Sequence, residues 1–203
     1  HAMVAKYGLD QVRYFLLREI PFGNDGDFSH RSMVQRINSD LANGLGNLAQ
    51  RVLSLISKNC AGQVPQPGTF TDADKTLLAS AHSLLAKLRP LMAEQAFNRA
   101  LEAIWQVVGE GDRYIDEQKP WTLKKTDPAR MATVLYVLAE TVRHLAILVQ
   151  PFTPHSMAKM LDQLAAPAGA RTFAALGEGG ALKVGTPLPA PEGVFPRYVE
   201  ETA

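Results

Sequence analysis

Apolar positions recur along most of this chain at three- and four-residue spacing, the period of helices that bury one face. Leu9, Val12, Phe15, Leu16 and Ile20 predict a first helix, broken by the glycine- and aspartate-containing segment 21–28. Ser29 supplies an N-cap for a long run to Lys58, in which Met33, Ile37, Leu41, Leu45, Leu48, Val52, Leu55 and Ile56 keep helical phase. Gly44 and Gly46 interrupt that run, and each costs about 1 kcal/mol relative to alanine in a helix interior. A missing side chain there admits a neighbouring helix, a kink or an approaching ligand; close packing is the expectation.

Segment 59–69 reads as a loop, and Thr71 or Asp72 caps a helix that ends near Arg89, with Pro90 closing it. The run from Met92 to Glu117 is again helical, with Phe97, Leu101, Ile104, Trp105, Val108, Tyr114 and Ile115 in phase and Gly109 and Gly111 as weak points. A further long helix spans Pro128 to Val149, and Pro151 and Pro154 open a shorter one through Leu164. Beyond Ala165 the chain is rich in Gly, Pro and Ala and poor in large apolar residues, so it is expected to drape over the rest or to be partly mobile. No fixed-period repeat or coiled-coil heptad is present. The predicted fold is all-α, a bundle of about five long helices with an irregular C-terminal tail.

Composition changes this picture in a few respects. At 203 residues and 46% hydrophobic content the chain can bury one good core. Lys and Arg number 21 against 20 Asp and Glu, a formal net charge of +1, so a broad basic field is excluded and any nucleic-acid contact must be local. A single cysteine, Cys60, excludes an internal disulfide and a multi-cysteine zinc site, in keeping with a reducing cytoplasm. His30, His82, His144 and His155 show no metal-ligand spacing, and no metal is expected. No apolar run is read as approaching the ~20 residues of a membrane span, so no membrane partner is expected. His1-Ala2-Met3 reads as an appended start, because residues 4–20 already have mid-protein character; a piece of a longer protein is expected.

Candidate chemistry lies in two places. Trp121 follows Pro120 directly, stands among Lys119, Lys124 and Lys125, and falls outside the apolar stripes, which suits a platform for an unstacked base. Asn47 and Arg51 are four residues apart, hence on one helix face, and together could read the edge of such a base. Their ordinary alternative is a solvated polar face. Lys124 and Lys125 are candidate phosphate contacts, with Lys119 and Arg113 behind them. Trp105, flanked by Ile104 and Val108 on a stripe, is expected in the core.

Segment 8–18 (GLDQVRYFLLR) resembles the stretch that follows the Lys-Met-Ser-Lys-Ser loop of class I aminoacyl-tRNA synthetases, with Asp10, Arg13 and Tyr14 in the D-x-x-R-[YF] places. Segments 22–30 (FGNDGDFSH), 38–52 (NSDLANGLGNLAQRV), 114–121 (YIDEQKPW) and 194–200 (VFPRYVE) narrow the resemblance to the methionyl-tRNA synthetase family. It implies the anticodon-binding helix bundle: residues 1–28 as the end of a stem-contact region joined to a catalytic half, 29–165 as the bundle and 166–203 as a tail packed on it. It also implies that Asn47, Arg51, Pro120 and Trp121 meet the CAU anticodon of methionine tRNA, chiefly its first base, a cytosine. The catalytic domain of the same polypeptide is the other implied partner. No catalytic residue and no cofactor are expected in this chain, because the HIGH and Lys-Met-Ser-Lys-Ser signatures are absent from it; ATP and magnesium would serve the longer enzyme. Asp112 departs from the family pattern, which leads one to expect Asn before Arg-Tyr-Ile. The competing readings are a helical protein-interaction scaffold and the corresponding domain of another class I synthetase.

Overall fold

A computed structural model describes residues 2–26 and 28–200. Helices α1 (Ala2–Tyr7), α2 (Leu9–Glu19) and α3 (His30–Arg36) lead into a widened segment, Ile37–Gly46, and then α4 (Asn47–Asn59), α5 (Asp72–Ala93), α6 (Phe97–Gln118), α7 (Pro120–Thr126), α8 (Pro128–Val149) and α9 (Pro154–Gln163). The rest of the tail runs through three short 3-10 turns, Ala168–Ala170, Phe173–Leu176 and Glu178–Gly180. The all-α expectation holds, and Ser29 caps α3 by accepting from the Ser32 amide as its sequence position predicts.

The single long helix expected from Ser29 to Lys58 is instead three pieces. Backbone hydrogen bonds open to the wide π register over Ile37–Gly46, and Gly44 leaves the helical basin at ψ −108°. Both glycines mark close packing. A Cβ on Gly44 would lie 3.2 Å from the Trp105 indole nitrogen, and one on Gly46 would lie 2.8 Å from the Leu41 carbonyl oxygen and 3.4 Å from Phe195 Cβ. Trp105 Nε1 donates to the Asp40 carbonyl at 3.0 Å, a side-chain hydrogen bond from α6 to the widened segment.

Pro90 does not close its helix. It lies near the C-terminal end of α5, where only one ladder bond is lost, and the helix continues through Ala93. Termination comes from Gln95, left-handed at φ 59°, with Ala96 N bonded to Leu91 O and Gln95 N to Met92 O, the paired bonds of a Schellman ending. The run expected from Met92 therefore starts at Phe97. At the other end of α5, Thr71 and Asp74 form a reciprocal capping box.

Helix α8 is the axis of the bundle. By length and composition it is apolar enough to cross a membrane, contrary to the sequence-based expectation, but 89% of its most apolar window is buried inside the protein. Helices α4, α5, α6, α7 and α9 all pack on it. It carries Glu140 and Arg143 into the interior, where the guanidinium donates to both carboxylate oxygens and to the Ala175 carbonyl, and Leu182 N donates to Glu140. His144 joins them, bonded at Nε2 to the Leu176 carbonyl. The tail is thus tied to buried polar groups. Two side-chain amides extend the tie: Gln163 exchanges hydrogen bonds with the Glu192 backbone, and Asn38 with the Tyr198 backbone. The fold also gathers His82, Glu140 and His144 with ligand atoms within 4.8 Å, a grouping that histidine spacing in the sequence did not reveal. Arg143 already occupies Glu140, and both His144 nitrogens face carbonyl oxygens.

Asp74, fully buried, pins α5 to α6 and α8. It accepts from Tyr114 at 2.7 Å and from both Arg130 Nη atoms, and Arg130 also donates to Gln118. Burial alone would raise its pKa, but the Arg130, Tyr114 and Thr71 amide hydrogen bonds outweigh it and hold the carboxyl at about 2. A depressed carboxyl stabilises the fold above its unfolded value and loses that contribution as pH falls through the folded one. The contribution here is about 2 kcal/mol. Asp74→Asn is expected to destabilise the chain by about 2–3 kcal/mol at neutral pH. The gap between variant and parent should close as pH is lowered from about 4 towards 2. Denaturant titrations across that range check both the size and the closing.

Candidate nucleic-acid interface

Three local devices build the site. The kink at Gly44 starts α4 at Asn47, so Asn47 and Arg51 project from its first two turns on one face. Lys119 ends α6 in the left-handed region at φ 48°, an uncommon conformation for a residue with a side chain, and turns the chain directly into α7. Pro120 then occupies the first helical position, where its missing N–H costs nothing. Trp121, expected off the apolar stripes, sits in the first turn of a short helix that periodicity did not predict between Glu117 and Pro128, started by the left-handed Lys119.

The indole of Trp121 is 45% exposed although its neighbour Pro120 is buried. Arg51 lies over it with the guanidinium carbon 5.9 Å from a ring centroid, at the edge of cation–π range. Two carboxylates from α6 hold the same guanidinium: Asp116 Oδ1 at 2.6 Å from Nη2 and Asp112 Oδ1 at 3.7 Å from Nη1. Burial pushes the Asp112 carboxyl above the ordinary carboxylate range; Arg51 opposes the rise and Asp116 adds to it. Asn47 is exposed one turn before Arg51, in a groove of about 370 Å³ between α4 and the tail that Gln50, Phe195 and Arg197 also line.

The structure therefore joins Arg51 and Trp121, puts Asn47 on the same helix face and seats Pro120 as the anchor beneath the indole. Lys124 and Lys125 are exposed in the last turn of α7, three and four residues beyond the indole. Asp112 and Asp116 were missed as partners of Arg51. Their own i, i+4 spacing in 114–121 and just before it was the available signal, but only helix packing shows that they face α4. Trp105 departs from expectation in the other direction: it is half-buried, its ring 4.8 Å from Tyr14 and tilted 47° to it, with its N–H bonded to the Asp40 carbonyl.

Residues 64–203 match the family model described as the anticodon binding domain of methionyl tRNA ligase, and residues 1–53 match that of the class I tRNA synthetases (M). Methionine-tRNA ligase of Rhizobium meliloti (strain 1021) is 59% identical over 201 residues, covering 99% of this chain and 39% of the relative. That of Brucella melitensis biotype 1 is 59% identical over 198 residues, covering 98% and 38%. The crystal structure of apo Mycobacterium tuberculosis methionyl-tRNA synthetase superposes with a TM-score of 0.95 at 51% identity, over 98% of this chain and 41% of that one. The same enzyme in complex with methionyl-adenylate gives a TM-score of 0.93. The bundle is thus of the kind found in class I tRNA synthetases. Specifically, the chain belongs to the family of the anticodon-binding domain of methionyl-tRNA ligase, and it spans about two fifths of the length of its curated relatives. Neither a scaffold nor the domain of another class I synthetase is favoured by these matches.

The two tryptophans are expected to separate cleanly. Trp121→Ala should change stability by no more than about 0.5 kcal/mol, as for an exposed residue without buried partners. Trp105→Ala should cost about 2–4 kcal/mol, since it empties a space between Tyr14 and Gly44 and removes the hydrogen bond to the Asp40 carbonyl. Parallel thermal and urea unfolding of the two variants checks this, and equal midpoints would contradict the placement of both rings.

Proposed function

We propose that this chain reads the anticodon loop of methionine tRNA, with the first anticodon base, a cytosine, stacked on Trp121 and its edge read by Arg51 and Asn47. The observation that carries the reading is the half-exposed indole with the Arg51 guanidinium poised over it. A flat aromatic surface contributes about 1–3 kcal/mol per stacked base. Arginine is donor-only and suits the O2 and N3 acceptors of cytosine, while the Asn47 amide offers one donor group and one acceptor. Pro120 fixes the backbone beneath the ring and lowers the entropy cost of presenting it. Lys124 and Lys125 act on the phosphates of the same loop.

In this proposal the chain is the RNA-reading part of a methionine-tRNA ligase working in the cytoplasm, without a membrane partner. The longer protein joins methionine to its tRNA with ATP and magnesium, and its catalytic half adjoins residues 1–28. Residues 29–165 form the reading bundle and 166–203 the tail that closes over it. The signatures that hold ATP are absent from this sequence, so no residue here is assigned to that chemistry.

Titrations of a CAU anticodon stem-loop and its UAU counterpart test the reading. The parent should prefer cytosine by about 1–3 kcal/mol, because uracil exchanges a donor for an acceptor at the exocyclic position and reverses the ring nitrogen. Trp121→Ala should weaken both RNAs by about 1–3 kcal/mol. Arg51→Ala should lose preference as well as affinity, whereas Lys125→Ala should weaken both RNAs alike. Full discrimination by the Arg51 variant would leave that residue a phosphate or packing role only. A near-neutral chain should neutralise few phosphates, each adding a slope of about 0.7 in log affinity against log salt. A slope near 5 would require a basic surface absent from this sequence.

A further inference from the structure

Two carboxylates compete for the Arg51 guanidinium, and they are not equally satisfied. Asp116, with its side chain 63% exposed, holds Nη2 at hydrogen-bond distance. Asp112 is the inner of the two carboxylates, and its Oδ1 is shielded from solvent and has no hydrogen-bond partner, standing 3.7 Å from Nη1. That separation is within ion-pair range and too long for a hydrogen bond. A buried, unpartnered carboxylate oxygen is costly, and a small turn of the guanidinium would satisfy it. The turn would also free Nη2 from Asp116.

We propose that Asp112 is the positioning residue for Arg51: when a base stacks on Trp121, the guanidinium gives up Asp116, closes onto Asp112 and presents its remaining donors to the base edge. The inference rests on the anticodon reading above and assigns a role to the position where the family pattern leads one to expect Asn. Arginine can serve both sides at once, because its five donors form a fixed planar fork and one edge suffices for a carboxylate. Asp116 is then the resting-state partner, with which the incoming base must compete.

A proton is linked to this exchange. Charges reach Asp112 from two elements, Arg51 on α4 favouring the carboxylate and Asp116 on its own helix opposing it, while burial opposes it most. In the free chain the Asp112 carboxyl is therefore raised, and closure of Arg51 onto it lowers it again. RNA binding accordingly releases a proton where the free carboxyl is partly protonated, and affinity for the cytosine stem-loop falls as pH is lowered from neutrality towards the carboxylate range.

The experiment uses the 203-residue chain, with CAU and UAU stem-loops titrated between about pH 7.5 and pH 5, in buffers of different ionisation enthalpy. Circular dichroism confirms that each variant is folded. The parent should show proton release and a declining cytosine preference at the acid end. Asp112→Asn should bind with a flat pH profile and no proton release, retaining part of the preference through its amide oxygen. Asp112→Ala should lose about fivefold or more of the cytosine-to-uracil ratio, and Asp116→Asn should bind both RNAs more tightly. If Asp112→Ala keeps the full ratio while Arg51→Ala loses it, or if Asp112→Asn keeps the parental pH profile, the positioning role is overturned and the anticodon reading survives. If the parent itself has no cytosine preference, both fall together.

Discussion

Everything in this bundle is arranged around the burial of α8. A helix this apolar can stay in water only if other elements cover it on all sides, and α4, α5, α6, α7, α9 and the tail do so. Covering it completely creates a second requirement. Glu140 and Arg143 lie inside the cover and must satisfy each other, and the donors and acceptors left over are met by backbone from the tail. The irregular C-terminal segment is ordered because the interior needs its carbonyl and amide groups, even though it offers few large apolar side chains of its own.

The interface follows from where helices stop. Helix α4 starts at Asn47 because the preceding turn is distorted at Gly44, and α7 starts at Pro120 because Lys119 adopts a left-handed turn. Both irregularities are held from outside, the first by Trp105 donating to Asp40 and the second by Pro120 packed into the core. Exposed side chains at helix starts can thus be placed with precision by buried groups a few residues away, and the guanidinium and indole meet without either being committed to the core.

Much of this was legible in the chain. Period and caps gave the helices at Leu9, Asp72 and Pro128, and the Asn47, Arg51 and Trp121 positions matched a recognisable pattern. What escaped was decided by tertiary packing. The break inside Ile37–Gly46 leaves the apolar phase intact, so periodicity runs straight through it. Pro90 looked like a stop because proline breaks helix interiors, but near a helix end it costs little and α5 runs on to Ala93. The two carboxylates beside Arg51 belong to another helix, 61 and 65 residues further along the chain, and nothing local joins them. His82 and His144 meet for the same reason.

The fastening of the two ends has a bearing on the order of assembly. Asp10 accepts from the Ser156 amide, Arg13 donates to the carbonyls of Pro151 and Phe152, and Asn38 clasps Tyr198 across 160 residues of sequence. Contacts of such span demand the closure of very large loops before they repay anything. During synthesis α2 can therefore meet Asp40 and α6 first, through Tyr14 and Arg18, and gains residues 151–156 only after α8 is made, while α5, α6 and α8 hold one another independently of those clasps. The clasp on Tyr198 comes later still, and Phe195 and Arg197, beside Asn47 in the groove, arrive with that seam.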